Sequence, residues 1–218
     1  LIEKSSLVFF VFPEYVTKID ESAFRRTTLS GALIIPDDVT EVEDYAFQYT
    51  NISSLQLPTN IKKLGYEAFS GCSSLSGSLS LPESLEKIGN ICFSNCSMLS
   101  GNLVLPSKLK SIPTNTFLKC GFTGDLIIPE GVTFIGPSAF SGCNFNGQLK
   151  LPTSLKNIEK SSFSSCKFQG ELVIPAQVKS IPERCFNGNE FSSIIFEAGS
   201  QLVKIEDYTH NVGACYRC

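Results

Sequence analysis

The sequence predicts a solenoid of about nine stacked repeats of 22–24 residues. It would be either right-handed and α/β-type or a mostly β horseshoe, with a parallel concave sheet and an irregular convex side. Three observations carry this reading. Pro13, Pro36, Pro58, Pro82, Pro106, Pro129, Pro152 and Pro175 follow one another at intervals of 22 to 24 residues. A phenylalanine stands eleven residues after each of them, at Phe24, Phe47, Phe69, Phe93, Phe117, Phe140, Phe163 and Phe186, and that offset never varies. Composition is skewed toward this repeated position: Phe occurs 17 times, Met once and Trp not at all.

Each repeat opens on L-x-[IL]-P. Leu33 and Ile35, or Leu126 and Ile128, alternate with outward residues as a strand does. Proline ends the strand because it cannot donate to a ladder. Neighbouring copies would pair in parallel at about 4.8 Å, giving a sheet roughly 40 Å long. The return, P-x-x-[LV]-x-x-I-x-x-x-[AC]-F, is apolar at steps of three and reads as short extended or turn-like pieces. Pro113 and Pro182 argue against a helix there. Gly31, Gly77, Gly101, Gly124, Gly147 and Gly170 stand five residues before proline, where a tight bend or a close approach is expected. In the ninth copy Phe196 takes the column before proline, Glu197 replaces proline, and Leu202 and Ile205 arrive two residues late. The expected organisation is residues 1–205 as solenoid, eight regular repeats and a degenerate ninth, with 206–218 as a C-terminal cap or tail.

The unit ending in A-F-x-x-C is intact at Ala68–Cys72 and Ala139–Cys143, with related forms at Cys92–Cys96, Thr116–Cys120 and Ser162–Cys166. It resembles the BspA-like, or Treponema-type, leucine-rich repeat, and the resemblance covers Phe9 to Ile205. It implies a leucine-rich-repeat solenoid whose relatives are often surface proteins of bacteria and of parasitic or commensal protists, associated with adhesion and recognition. It supplies no catalytic residues. Thr27, Thr50 and Asn189 replace the cysteine, in what reads as an edge column. The F-x-G or L-x-G element in most units reads as an insertion that lengthens a loop.

Few residues of the sequence could carry chemistry. Cys72, Cys96, Cys120, Cys143 and Cys166 share one column, and Cys92 and Cys185 share the alanine column, so they read as small buried hydrophobes. Cys215 and Cys218 with His210 fall short of four zinc ligands, and a tail disulfide or a disordered tail is the expectation there. A single histidine makes a nucleophile–histidine pair improbable. Asp37–Asp38 and Glu43–Asp44 read as solvated turns. No catalytic residue, metal or cofactor is expected. A net charge of −3 argues against a nucleic-acid surface, and no apolar run is long enough for a membrane-spanning segment. Leu1–Phe12 is apolar but lacks a basic start and a small-residue cleavage site, so it does not read as a signal peptide. A chain starting at Leu1 reads as a mature protein or a fragment.

What remains is a surface. If the strands line the concave side, one outward row holds Gln56, Ser80, Val104, Ile127, Lys150 and Val173, and a second holds Asn102, Asp125, Gln148 and Glu171. These ten are the candidate binding face. The expected partner is a protein, a host surface or matrix protein or a second copy, and the expected location is the cell surface or the secreted fraction. The alternative is a structural protein, a homo-oligomer joined through the apolar first strand, Leu7 to Phe12, or through an open end of the stack.

Overall fold

The structure, a computed structural model, describes residues 10–206 and the backbone of Cys215–Arg217. Leu7–Phe9 of the first strand, His210 and Cys218 lie outside the described residues. No helix occurs among them; the chain is a parallel β-solenoid of about nine turns. The mostly β form is therefore the one adopted.

The turns have two β sides, although the segments before Pro82 and Pro106 carry no strand on the long one. The long side includes Ser30–Ile34, Asn51–Gln56, Leu126–Ile127, Leu149–Lys150, Gln169–Ile174 and Glu190–Phe196. The short side runs Lys18–Ile19, Glu41–Val42, Lys63–Leu64, Lys87–Ile88, Ser111–Ile112, Phe134–Ile135, Asn157–Ile158, Ser180–Ile181 and Lys204–Ile205. All pairings are parallel, and they join residues one period apart, such as Val42 to Leu64 and Ile135 to Ile158. Ile205 pairs with Ile181, so the late residues of the ninth copy still enter the column. Cys215–Arg217, in the stretch read as cap or tail, pairs in parallel with residues 193–195.

Proline sets the corner between the two sides. Its carbonyl accepts the amide of the residue three positions on, from Val39 to Pro36 (3.0 Å) through Val178 to Pro175 (3.1 Å). It thus ends one strand and begins a β-turn. At the far end of the long side, Gly77 has φ +79° with open space around it, so conformation selects glycine there. Gly147 is different: a Cβ would fall onto Asp125 of the preceding turn, so close approach selects it.

The third side is built around the repeated phenylalanine. Phe24 to Phe186 are buried in every turn. Successive rings stack at centroid distances from 5.1 Å for Phe24–Phe47 to 5.9 Å for Phe93–Phe117. The residues two before and two after each phenylalanine are left-handed, as at Ile91 (φ 61°) and Asn95 (φ 60°) around Phe93. This alternation turns the amides of residues −2, 0 and +2 toward the next turn: Ile91, Phe93 and Asn95 donate to the carbonyls of Thr114, Thr116 and Leu118, each at 2.8 Å. A run of tight bends thereby satisfies its buried amides without a helix.

Three expectations are corrected here. The F-x-G and L-x-G elements do not merely lengthen a loop. Leu29, Leu75, Leu99, Phe122, Phe145 and Phe168 are buried, and Phe122, Phe145, Phe168 and Phe191 form a second stack of rings. An apolar side chain there has core to enter, because the bend at the following glycine turns it inward.

The cysteine column is not an edge. Its thiols are buried, and each donates to the phenylalanine carbonyl of the preceding turn, as Cys120 does to Phe93 (3.1 Å) and Cys166 to Phe140 (3.0 Å). Thr27, Thr50 and Asn189 are buried too and keep a donor on a phenylalanine carbonyl. The column selects a small hydrogen-bond donor, which fills the second lone pair of a carbonyl that in most turns already accepts an amide, as Phe93 does from Cys96 (3.2 Å).

Glu43–Asp44 is not a solvated turn. Glu43 lies between Lys18 (2.9 Å) and Lys63 (2.7 Å), on the turns before and after it, and Asp44 accepts the Tyr66 amide (2.7 Å).

Candidate functional site

On the long side the alternation of the strand decides which atoms meet solvent. Leu103, Leu126, Leu149 and Leu172 point inward and are buried. The residues between them point out, and all ten candidate residues are exposed. Val104, Ile127 and Val173 keep 68%, 57% and 38% of their surface in water, high values for residues of this size. Ile127 pairs in register with Lys150, and Val173 with Ile195. The outward row therefore reads apolar, apolar, cationic, apolar along the axis.

The neighbouring row is polar and partly fixed in place. Asp125 Oδ1 accepts the Gln148 amide at 2.7 Å, and Glu171 accepts the Ser193 hydroxyl at 3.4 Å. Lys150 thus sits in an apolar row, with one carboxylate on the turn before it and another on the turn after. This arrangement suits contact with a complementary protein surface: apolar area for burial, with charges of both signs to fix register.

The rest of the surface is tied together between turns. Arg25 donates to Gln48 at 2.6 Å and covers the Tyr45 ring at 4.4 Å, while Gln48 donates to Glu67. A hydrogen bond to Glu67 pushes the Tyr66 phenol up to about 12. Hydrogen bonds from Lys63, then Lys18, hold the Glu43 carboxyl at about 2, below its ordinary 4.5. Its side chain is only 17% exposed, so water screens the pairs incompletely. A carboxyl with a depressed folded-state value stabilises fully above the unfolded value and loses that contribution as pH falls through the folded one. Glu43→Gln is therefore expected to lower urea midpoints at pH 6 and to lower them much less at pH 2, where the carboxyl is about half protonated. Parallel urea melts of the two proteins check this, and a difference as large at pH 2 as at pH 6 would contradict it.

Among the described residues seven cysteines are free thiols, all buried. Burial pushes Cys72 up to about 11 and Cys143 up to about 12, the reverse of what activates a nucleophile. Among the described residues no group of three or more His, Cys, Asp and Glu could hold a metal ion, and no helix is long and apolar enough to cross a membrane. The His210–Cys218 tail reading lies outside the described residues, apart from the backbone of Cys215.

Two features escaped the sequence. One is the donor role of the cysteine column, which the shared donors of Thr27, Thr50 and Asn189 could have signalled. The other is a pair of lysine-lined cavities on the short side, at Lys87–Lys110 and Lys156–Lys179, which appear only once the turns are stacked.

Comparison with known proteins places this geometry. Residues 2–123 and 110–212 match the family model described as BspA type leucine rich repeat region, in six copies. No curated protein matches the chain. Among solved structures it is similar to a leucine-rich repeat protein from Bacteroides ovatus, with 26% identity and a TM-score of 0.71 over 94% of this chain and 55% of that one. The chain thus spans little more than half the length of that relative. Two others share the fold. One, a leucine-rich repeat protein from Eubacterium ventriosum, has 20% identity and a TM-score of 0.57 over 96% of this chain and 52% of that one. The other, the T. pallidum leucine rich repeat protein, has 24% identity and a TM-score of 0.51 over 85% and 72%.

Proposed function

From the premise that the chain belongs to the BspA-type leucine-rich-repeat family, we propose that it is a non-enzymatic module that recognises a partner protein through the exposed side of its long-strand sheet. Repeats of this family serve protein–protein interaction, and the family and the structural neighbours point to a non-catalytic repeat protein. The observation that carries the finer reading is the outward row, in which Val104, Ile127 and Val173 stay exposed beside Lys150, Asp125 and Glu171. Solenoids use such extended faces for recognition. Adhesion to a host surface or matrix protein, at the cell surface or after secretion, is the setting we propose for it.

Surface plasmon resonance against a panel of extracellular-matrix proteins tests this. Ile127→Asp and Lys150→Glu should each weaken the binding found by about ten-fold or more, because central apolar anchors and charges carry most interface energy. Val203→Lys, at the far end of the stack, should leave it unchanged. Binding that survives both face variants would move the site elsewhere.

The second reading is self-association through the stack ends. It is favoured by Val203 and Ile205, exposed at 84% and 46% in the last described turn. Light scattering across a concentration series decides it: a mass that rises with concentration and is lost in Val203→Lys supports end-to-end assembly.

A further inference from the structure

The short side carries a charge pattern opposed to that of the chain. Among the second to fifth residues after Pro82, Pro106, Pro129, Pro152 and Pro175 stand five lysines, Lys87, Lys108, Lys110, Lys156 and Lys179, against one acid, Glu86. The whole chain carries −3. Stacking at about 4.8 Å per turn draws these lysines, scattered over the sequence, into one strip roughly 20 Å long. All five are exposed, and the ion pairs among the described residues involve none of them, since Glu86 pairs with Lys62 (3.7 Å). Three flanking acids are turned to a neighbouring turn: Glu83 and Glu130 each take an amide and a hydroxyl, of Ser107 and of Thr153, and Glu197 takes the Ala176 amide (3.0 Å).

Two hollows open along the strip. One, of about 500 Å³, is lined by Lys156, Asn157, Gln177, Lys179, Ser180 and Gln201. The other, of about 430 Å³, is lined by Glu86, Lys87, Ser107, Lys108 and Lys110. Between them Lys110 extends its ammonium over Gly131 of the next turn. The first hollow thus offers two lysine ammoniums beside neutral hydrogen-bonding groups, and the second offers three lysines with Ser107 and the carboxylate of Glu86, which is paired to Lys62.

We infer that this strip binds an acidic polysaccharide laid along the solenoid axis, its sulfate or carboxylate groups on the lysines and its hydroxyls on Asn157, Gln177, Ser180 and Gln201. A linear polyanion matches a linear array of unpaired cations, and loss of its counterions drives binding. The chemistry favours sugar over nucleic acid. The strip has lysine point charges and no arginine fork for phosphate, and its one aromatic ring, Phe134, is half-buried where single-strand binding calls for open stacking platforms. The site is separate from the long-strand face, so the two can fail independently.

The test is binding of the full chain to heparin, polygalacturonate, polyphosphate and oligo-dT at 50 and 200 mM salt. Heparin or polygalacturonate should bind, sulfate and carboxylate being told apart by which one does, and more weakly at the higher salt. Lys156→Gln/Lys179→Gln should weaken that binding at least ten-fold, and Lys108→Gln/Lys110→Gln at least three-fold. Lys119→Gln/Lys167→Gln, which removes the same charge elsewhere, should stay within two-fold. Thermal melts show that each variant is folded. The inference is overturned if neither polysaccharide binds at 50 mM salt, if the control pair loses as much as the strip pairs, or if polyphosphate or oligo-dT binds more tightly than both sugars.

Discussion

Phe117→Ala is expected to lower stability by about 4 kcal/mol. Phe117 is fully buried, stacks on Phe93 (5.9 Å) and Phe140 (5.5 Å), and meets Phe122 edge-on (5.9 Å). Truncation removes the ring's own transfer energy and leaves a cavity shared by three turns. It also cancels aromatic contacts of about 0.5–1.5 kcal/mol each. The surroundings cannot collapse into the gap, because each turn is pinned by amide bonds on both flanks of the ring. In a chain of this size the loss corresponds to a melting point roughly 8–16 °C lower. Phe24→Ala should cost less, since Phe24 lies in the first described turn and its ring partners before it are the half-buried Phe10 and Phe12. Thermal and urea melts of both variants check this, and equal losses would contradict a core shared between neighbours.

Asn189→Ala is expected to cost about 3 kcal/mol although it removes a polar group from the interior. Asn189 is 4% exposed. Its Nδ2 donates to the Phe163 carbonyl (2.7 Å) and the Phe186 carbonyl (2.8 Å), and its Oδ1 accepts the Phe168 amide (3.0 Å). Alanine strands all three backbone groups away from water. Asn189→Cys should recover part of the loss, because a thiol in this column reaches the carbonyl one turn back, as Cys166 reaches Phe140 (3.0 Å). Urea melts rank the three proteins. A cysteine variant no better than alanine would show that the column wants something other than a donor.

Much of this architecture was legible because it is periodic. The fixed offset from proline to phenylalanine and the alternation of L-x-[IL]-P place the core columns and the exposure of Val104, Ile127 and Lys150 by counting alone. What escaped counting is backbone state and contact across turns. The left-handed position two before phenylalanine is filled by Ser22, Tyr45, Glu67, Ile91, Asn115, Ser138, Ser161 and Arg184, a set with no common side-chain chemistry. There the turn overrides local preference, most visibly at Ile91, whose branched side chain is the least suited to that conformation. Glu43 reads as a loop acid because its two lysines lie about one period away on either side, and the lysine strip is dilute in sequence for the same reason.

The regular hand-over of amides from Phe93 to Thr116 and from Phe117 to Ala139, repeated turn after turn, means that no turn holds a contact reaching past its immediate neighbours on that side. Length is therefore free to vary. One whole turn can be duplicated or deleted and the flanking surfaces still meet as before, with the chain a step of about 4.8 Å longer or shorter. A lineage carrying such a protein can lengthen its exposed long-strand face by copying a segment of gene, without first solving a new packing problem.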